Sequence, residues 1–431
     1  MKKILLALFL ALPLSVFAQT AREEIQKDIT LSASNYVCYR APENPTYTAA
    51  PKGYKPCYIS SYARHGSRWL IYADQYASPS RKLHRADTLG VLTPLGKEVM
   101  RICDTLVTMS QGHLGELTDV GAEQHRGIAR RMYRNWPEVF AKNRFIEARS
   151  TPIVRCILSM MNEMWELKRF SPTLDMRMDG SNADYYYLHD PNHPANKLRG
   201  TEAEKAAYWK LDDSVKNDIE KLDAHLAGKL FTDIKKASRV VNVGELRDQL
   251  FTLAGNMQSH RFGFDLYRLF TADEAYLLWS RQNLMWYANY GFTPWTSNAM
   301  PYTQSNLLRD FIAAADSCLA RPKMAANLRF GHEVCVLPLA CLMGLGEAGY
   351  STDNPLTLAD HWRNYRIFTM ASNIQLVFFR NDKKSDAPIL VKPLLNEREV
   401  TLPVAAYVPG FYRWSDVRAY WFKILEKEPG A

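Results

Sequence analysis

Three segments of this chain read as β-strands that lead into helices, and this repeated order is what most restricts its fold. Lys55 to Ala63 reads as a strand. A helix then opens at Thr93-Pro94, with threonine as N-cap and proline at the first helical position. "RFIEARS" reads as a second strand, and Thr151-Pro152 repeats the cap-then-proline signal before "IVRCILSMMNEMWEL". "ANLRFGHE" reads as a third, followed by the apolar helix "VCVLPLACLMGL" with an internal Pro338. A further helix, "LTDVGAEQHRGIARRMYRNWPEVF", starts at Thr118-Asp119, with apolar residues near helical spacing. Strand–helix units of this kind predict an α/β fold: a doubly wound, mainly parallel sheet with helices on its faces.

The remaining chain fills in around that core. Residues 165–290 differ in texture and carry the charged helical runs "TEAEKAAYWKLDDSVKNDIEKLDAHLAG" and "TADEAYLLWSRQNLMWYANYG". They read as an inserted, mainly helical cap domain, leaving residues 19–164 and 291–431 as the core. Residues 19–54 read as an irregular segment wrapping the body. "NIQLVFFRN", "APILVKPLL" and "REVTLP" alternate between turn residues, as a short antiparallel set does.

The first 18 residues, MKKILLALFLALPLSVFA, combine two lysines, an apolar run and a small-residue cleavage site. They read as a secretory signal peptide, which implies a periplasmic or secreted protein. No later apolar run approaches the ~20 residues needed to cross a bilayer, so no membrane span is expected. The formal charge is +9, or +7 without Lys2 and Lys3. No dense basic tract or nucleic-acid motif accompanies it, so the expected partner is an anionic small molecule rather than nucleic acid. The seven cysteines form no C-x-x-C, which argues against a zinc ribbon or thioredoxin-type motif. An exported protein permits disulfides, and Cys38 with Cys57 is the expected pair. Cys156, Cys335 and Cys341 lie in apolar helical runs and read as buried thiols.

Ligands bind beyond the carboxyl ends of strands in sheets of this type. Three strands end in suggestive residues: Arg64-His65-Gly66-Ser67-Arg68, Arg149-Ser150 with Arg155 one turn on, and His332-Glu333. Parallel pairing would bring them to one edge. Arginine forks suit tetrahedral oxyanions, helix N-termini favour phosphate, and Gly66 permits close backbone approach. Nearby cations disfavour an imidazolium, so His65 would remain neutral and able to attack phosphorus, forming a phosphohistidine. The arginines would stabilise the transferring oxygens. Glu333 is the candidate to protonate the leaving oxygen and then activate water. This chemistry requires no metal or other cofactor, and no H-E-x-x-H or clustered acidic set is present to hold one.

R-H-G-x-R after the first strand resembles the histidine acid phosphatase branch of the histidine phosphatase superfamily. "LTDVGAEQHRGIARRMY", "RSTPIVRCILSM" and "RFGHEVCVLPLACLMGL" resemble later elements of that family, in its order. "APKGYKPCYISSYARHGSRWL" and "FGHEVCVLPLACLMGL" look most like the multiple inositol polyphosphate phosphatases, which act as phytases. The resemblance spans most of the chain and is weak over residues 165–320. It implies His65 as nucleophile and Arg64, Arg68, Arg155 and His332 as phosphate-binding residues. The inositol polyphosphate branch has His-Ala-Glu where this chain has His-Glu-Val, so Glu333 occupies the position of the aspartate in the wider branch's His-Asp. Leu70 stands where many relatives have proline. The implied activity is an exported phosphomonoesterase acting on inositol polyphosphates including phytate. The alternatives are a broad acid phosphatase on sugar phosphates or other small esters, and a catalytically weak phosphate-binding relative.

Other residues carry weaker signals. Arg149 reads either as a phosphate ligand or as the partner of a carboxylate. His113 and His125 read as structural. Lys197, Arg199, His260 and Arg261 are candidates for outer phosphates, although each alone reads as a solvated charge. Trp279, Trp286, Tyr287 and Tyr290 read as cap core.

Overall fold

In the computed structural model, which describes residues 19–42, 45–321 and 323–429, one mixed sheet forms the centre. The expected leader at 1–18 lies outside the described residues. The strands are β1 (Tyr54–Arg64), β2 (Phe145–Ser150), β3 (Asp175–Asp179), β4 (Met324–Gly331), β5 (Asn373–Asn381), β6 (Leu390–Leu395), β7 (Arg398–Glu399) and β8 (Tyr412–Arg413). They lie in the order β3-β2-β4-β1-β5-β6-β7, with β8 beside β6. The β3, β2, β4 and β1 side is parallel. From β5 onward the pairing is antiparallel. The C-terminal strands therefore extend the main sheet rather than forming a set of their own.

Alternation along β1 divides the core into two layers. Ile59 and Ala63 face one side, with Ile146 and Ala148 of β2. There they meet Ile128, Ala129 and Met132 of the Asp119–Asn135 helix and Met160, Met164 and Leu167 of the Val154–Phe170 helix. Tyr58 and Tyr62 face the other side, against Leu307, Leu308 and Phe311 of the Ser305–Leu319 helix and the apolar Glu333–Met343 helix. Helices thus cover both faces, as the strand–helix order requires. Each fully buried Leu, Phe or Met contributes about 1.5–3 kcal/mol. A separate cluster packs the Glu202–Leu230, Val243–Asn256 and Ala272–Tyr290 helices together with Ala21 and Ile25. Among the described residues, no helix is long and apolar enough to cross a membrane.

Three local expectations need correction. The segment before β1 is not irregular: Ala21–Lys27 is a helix with a Thr20/Glu23 capping box, followed by the 3-10 turns of Ile29–Tyr36. Thr93 and Thr118 cap their helices through side-chain oxygens, but Thr151-Pro152 does not. That helix starts at Val154, with Ile153 as an N-cap that makes no side-chain bond. The cysteines are all free thiols, so Cys38 and Cys57 are not paired. Cys38 instead accepts a hydrogen bond from Gln124 Nε2 at 2.9 Å.

Register brings the strand ends together. Arg64 pairs with Gly331, and Ser150 with Phe330. The backbone carries this past the strand ends: His65 N–H donates to Gly331 O at 2.9 Å and Thr151 N–H to Phe330 O at 3.0 Å. Beyond β1 the chain turns against the Asp119–Asn135 helix at two facing glycines. A Cβ on Gly66 would lie 2.4 Å from Gly121 O, and one on Gly121 would lie 2.2 Å from Ser67 O. Gly66 thus serves backbone-to-backbone packing. Gly121→Ala must push this loop off the helix, at the ~1–3 kcal/mol typical of overpacking. The expected result is a lower Tm by calorimetry and weakened anion binding; an unchanged Tm would contradict the packing.

Candidate active site

The residue types at the three strand ends meet as the sequence suggests. His65 and His332 rings have centroids 5.7 Å apart. Glu333 Oε2 lies 3.0 Å from Arg64 Nε and 3.6 Å from His65 Nε2. Arg64 and His65 are fully buried, and Arg68, His332 and Glu333 each expose less than a tenth of their surface. Arg155 joins them as the second residue of the Val154–Phe170 helix, and its charge reaches Arg64, His65 and His332.

Each side chain is held from a different element. Arg64 Nη1 donates to Asn35 O at 2.7 Å, so the N-terminal segment fixes its fork. Arg68 donates to Trp69 O at 2.9 Å and stacks its guanidinium 5.5 Å from the Tyr36 ring. His332 N–H donates to Tyr62 Oη at 3.3 Å, while its Nε2 lies 3.2 Å from Thr151 Oγ1. Thr151, expected as a helix cap, thus meets a site histidine and leaves the helix N-terminus uncapped. His125 is structural, as expected: its Nε2 donates to Arg64 O at 3.1 Å and its Nδ1 meets buried Glu163 at 2.9 Å.

His65 Nδ1 donates to Gly66 O at 2.9 Å. That bond fixes the proton on Nδ1 and leaves the Nε2 lone pair free. Burial, with Arg64 and Arg155 adding to it, holds the imidazolium form well below its ordinary pKa. His332 is pushed down to about 3, chiefly by burial. Burial would raise the Glu333 carboxyl, but the Arg64 guanidinium outweighs it and holds it well below the usual carboxylate range. In the free protein, Glu333 is an ionised carboxylate beside an uncharged His65.

The unmet polar capacity of the site is concentrated. Arg64 Nε and Nη2, His65 Nε2, Arg68 Nε and Arg155 Nε are buried without a hydrogen-bond partner. Buried donors rarely stay unpaired, and four of these five are guanidinium nitrogens. They call for an anion with several acceptor oxygens. His65, His332 and Glu333 also offer ligand atoms within 4.8 Å of one another. The guanidinium groups around them oppose a cation there, so the donor set fits an oxyanion rather than a metal ion.

The other candidates have different places. Arg149 pairs with Glu147, Asp179 and Asp184 at 2.5, 2.9 and 3.2 Å, the carboxylate alternative. Arg199 lies over the Tyr290 ring at 4.7 Å. His260 packs against Trp69 and Phe262 at 4.3 and 4.5 Å. Arg261 lines a separate cavity of 820 Å³ with Arg130, Arg131 and Arg134. Lys197 is exposed to solvent. Trp279 and Tyr287 are fully buried and Trp286 nearly so. Val334, one residue past Glu333, packs into the apolar core instead. Leu70 N–H donates to Tyr76 Oη at 2.9 Å, a bond proline cannot make. The residues missed by sequence reasoning are Asn35, Tyr62 and Thr151. Tyr62 had a signal, since it shares a strand face with Arg64; a carbonyl such as that of Asn35 had none.

No family model matches the chain, and no curated protein matches it. Solved structures do. The multiple inositol polyphosphate phosphatase of Bifidobacterium longum, in complex with inositol hexasulfate, superposes with a TM-score of 0.77 at 20% identity, over 90% of this chain and 97% of that one. The phytase of D. castellii gives 0.68 at 14% identity, over 94% and 86%. The Hafnia alvei phytase gives 0.54 at 11% identity, over 87% and 98%. The chain has the α/β fold of these phosphatases.

Inorganic phosphate should fill the unpaired donors. At 100 times Kd it stabilises the native state by about 2.7 kcal/mol, read as a rise in Tm by scanning fluorimetry. Arg155→Ala should lose most of that rise at the same concentration. An equal rise in both proteins would place the phosphate elsewhere.

Proposed function

We propose that this protein is an exported phosphomonoesterase of the histidine acid phosphatase type, acting on inositol polyphosphates through a phosphohistidine on His65. The observation that carries the reading is the set of partnerless buried guanidinium nitrogens around an uncharged imidazole with a free Nε2. Arg64, Arg68, Arg155 and His332 would hold the phosphoryl oxygens while His65 Nε2 attacks phosphorus and the ester oxygen departs. Glu333, ionised in the free site, is suited to take the proton from the water that later splits the phosphohistidine. Export is supported by the leader-like residues 1–18. The substrate class is supported by the net charge of the chain and by its likeness in fold to inositol polyphosphate phosphatases.

Product analysis on phytate, wild type beside His65→Ala, tests the reading. The wild type should release inorganic phosphate and lower inositol phosphates, and His65→Ala should release neither. Turnover of p-nitrophenyl phosphate or glucose 6-phosphate that equals or exceeds that of phytate would reject the inositol polyphosphate assignment. Phosphate release that survives His65→Ala would reject the nucleophile.

A further inference from the structure

Two guanidinium groups outside the catalytic cluster also carry a buried nitrogen without a hydrogen-bond partner among the described residues: Arg144 and Arg363. Arg363 faces a carboxylate, with Nη1 3.0 Å from Glu24 Oε1. Arg144 is held by main-chain carbonyls instead. Its Nη2 donates to Cys57 O, and to Met324 O at 2.7 Å, while its Nε is left over. Carbonyls orient a guanidinium fork without neutralising it.

Arg144 lies at the far end of the sheet from His65. It immediately precedes β2, Cys57 lies in the first half of β1, and Met324 opens β4. This is the edge made by the amino ends of the parallel strands. β4 is eight residues long, which at ~3.3 Å per residue sets this edge roughly 25 Å from the catalytic one.

Arg144 lines a cavity of 380 Å³ at this edge, together with Arg380. Arg380 comes from β5, opposite Lys55 of β1, and its Nη2 also donates to a carbonyl, that of Leu319. The two cations feel one another: burial lowers the pKa of Arg144, and the charge of Arg380 adds to the shift. Lys55, Arg321, Glu138 and Asp382 stand at the exposed rim. Lys55 and Asp382 pair with each other at 3.0 Å. Setting that pair aside leaves Arg144, Arg321 and Arg380 against Glu138. The Cys57 thiol, which also lines the cavity, has its pKa pushed up to about 11 by burial, so it supplies no counter-charge. Like charges gathered around a buried, unpaired donor call for an anion. Arginine forks match a tetrahedral oxyanion, and the carboxylates at the rim oppose an extended polyanion.

We infer that this cavity is a second anion site, for a small tetrahedral oxyanion such as inorganic phosphate, at the amino edge of the sheet. A phosphate there bridges Arg144, at the start of β2, and Arg380 of β5, and so ties together strands from both sides of β1 and β4. Its forks are half-buried and its rim is open, so it binds phosphate more weakly than the catalytic cluster. Its existence is independent of the chemistry at His65.

Carbon-13 NMR of methyl-labelled methionine reads the site locally, because Met324 lines the cavity; Met324→Leu assigns its resonance. In Arg155→Ala protein, whose catalytic cluster is weakened, inorganic phosphate should move that resonance saturably, and sodium chloride at the same ionic strength should not. Adding Arg380→Met should raise the phosphate concentration at half-saturation about ten-fold or more, and Arg144→Met should do the same. Circular dichroism confirms that each variant is folded, and if the lost carbonyl contacts unfold Arg144→Met, Arg380→Met decides. A Met324 resonance that ignores phosphate, or that follows it equally with and without Arg380→Met, would overturn the site. Half-saturation by inositol hexasulfate at a lower concentration than by phosphate would overturn the assignment to a small anion.

Discussion

The site rests on a buried guanidinium that has no complete set of partners. Arg64 has lost all contact with solvent, and burial pulls its pKa down to about 10. A buried cation is strongly unfavourable unless paired. Here the Asn35 carbonyl accepts from Nη1 at 2.7 Å and Glu333 places an opposite charge 3.0 Å from Nε, yet neither Nε nor Nη2 has a hydrogen-bond partner. Burial, with this cation and Arg155 adding to it, keeps His65 uncharged. One arrangement therefore does two things: it invites an oxyanion, and it preserves a nucleophilic lone pair beside the place that anion would occupy. Glu333 balances the charge until then.

Geometry of this kind depends on the sheet. Parallel pairing of β1, β4 and β2 sets the three strand ends level, so residues far apart in sequence share one edge without long loops. The helices that follow are equally important. The Val154–Phe170 and Glu333–Met343 helices begin without side-chain caps, and the positive end of each helix dipole favours an anion there. The Gly66–Gly121 contact then presses the loop after β1 onto a third helix, the one carrying His125, which accepts the duty of holding Arg64's carbonyl.

Much of this was legible in the sequence because it is local or periodic. Strand–helix order gave the sheet type, and Thr93 and Thr118 marked helix starts through their own side chains. The strand-end clusters were visible as unusual cationic residues at sheet exits. What escaped was decided by tertiary contact. Thr151 has the local signature of a cap, yet His332 competes for its hydroxyl and the helix begins later. Cys38 and Cys57 suggested a pair by compartment alone, which fixes no geometry. Arg149 could be read either way until three carboxylates appeared beside it.

The claim that burial and a cationic surround together keep His65 neutral can be measured directly. Nitrogen-15 NMR of histidine-labelled protein, assigned with His65→Gln, reports the ionisation and tautomer of this ring as pH is lowered. His65 should remain a neutral imidazole with its proton on Nδ1 well below pH 6.5, and Arg155→Ala should move its titration upward. An imidazolium at pH 6 in the wild type, or a proton resident on Nε2, would contradict the proposed role of the buried arginines.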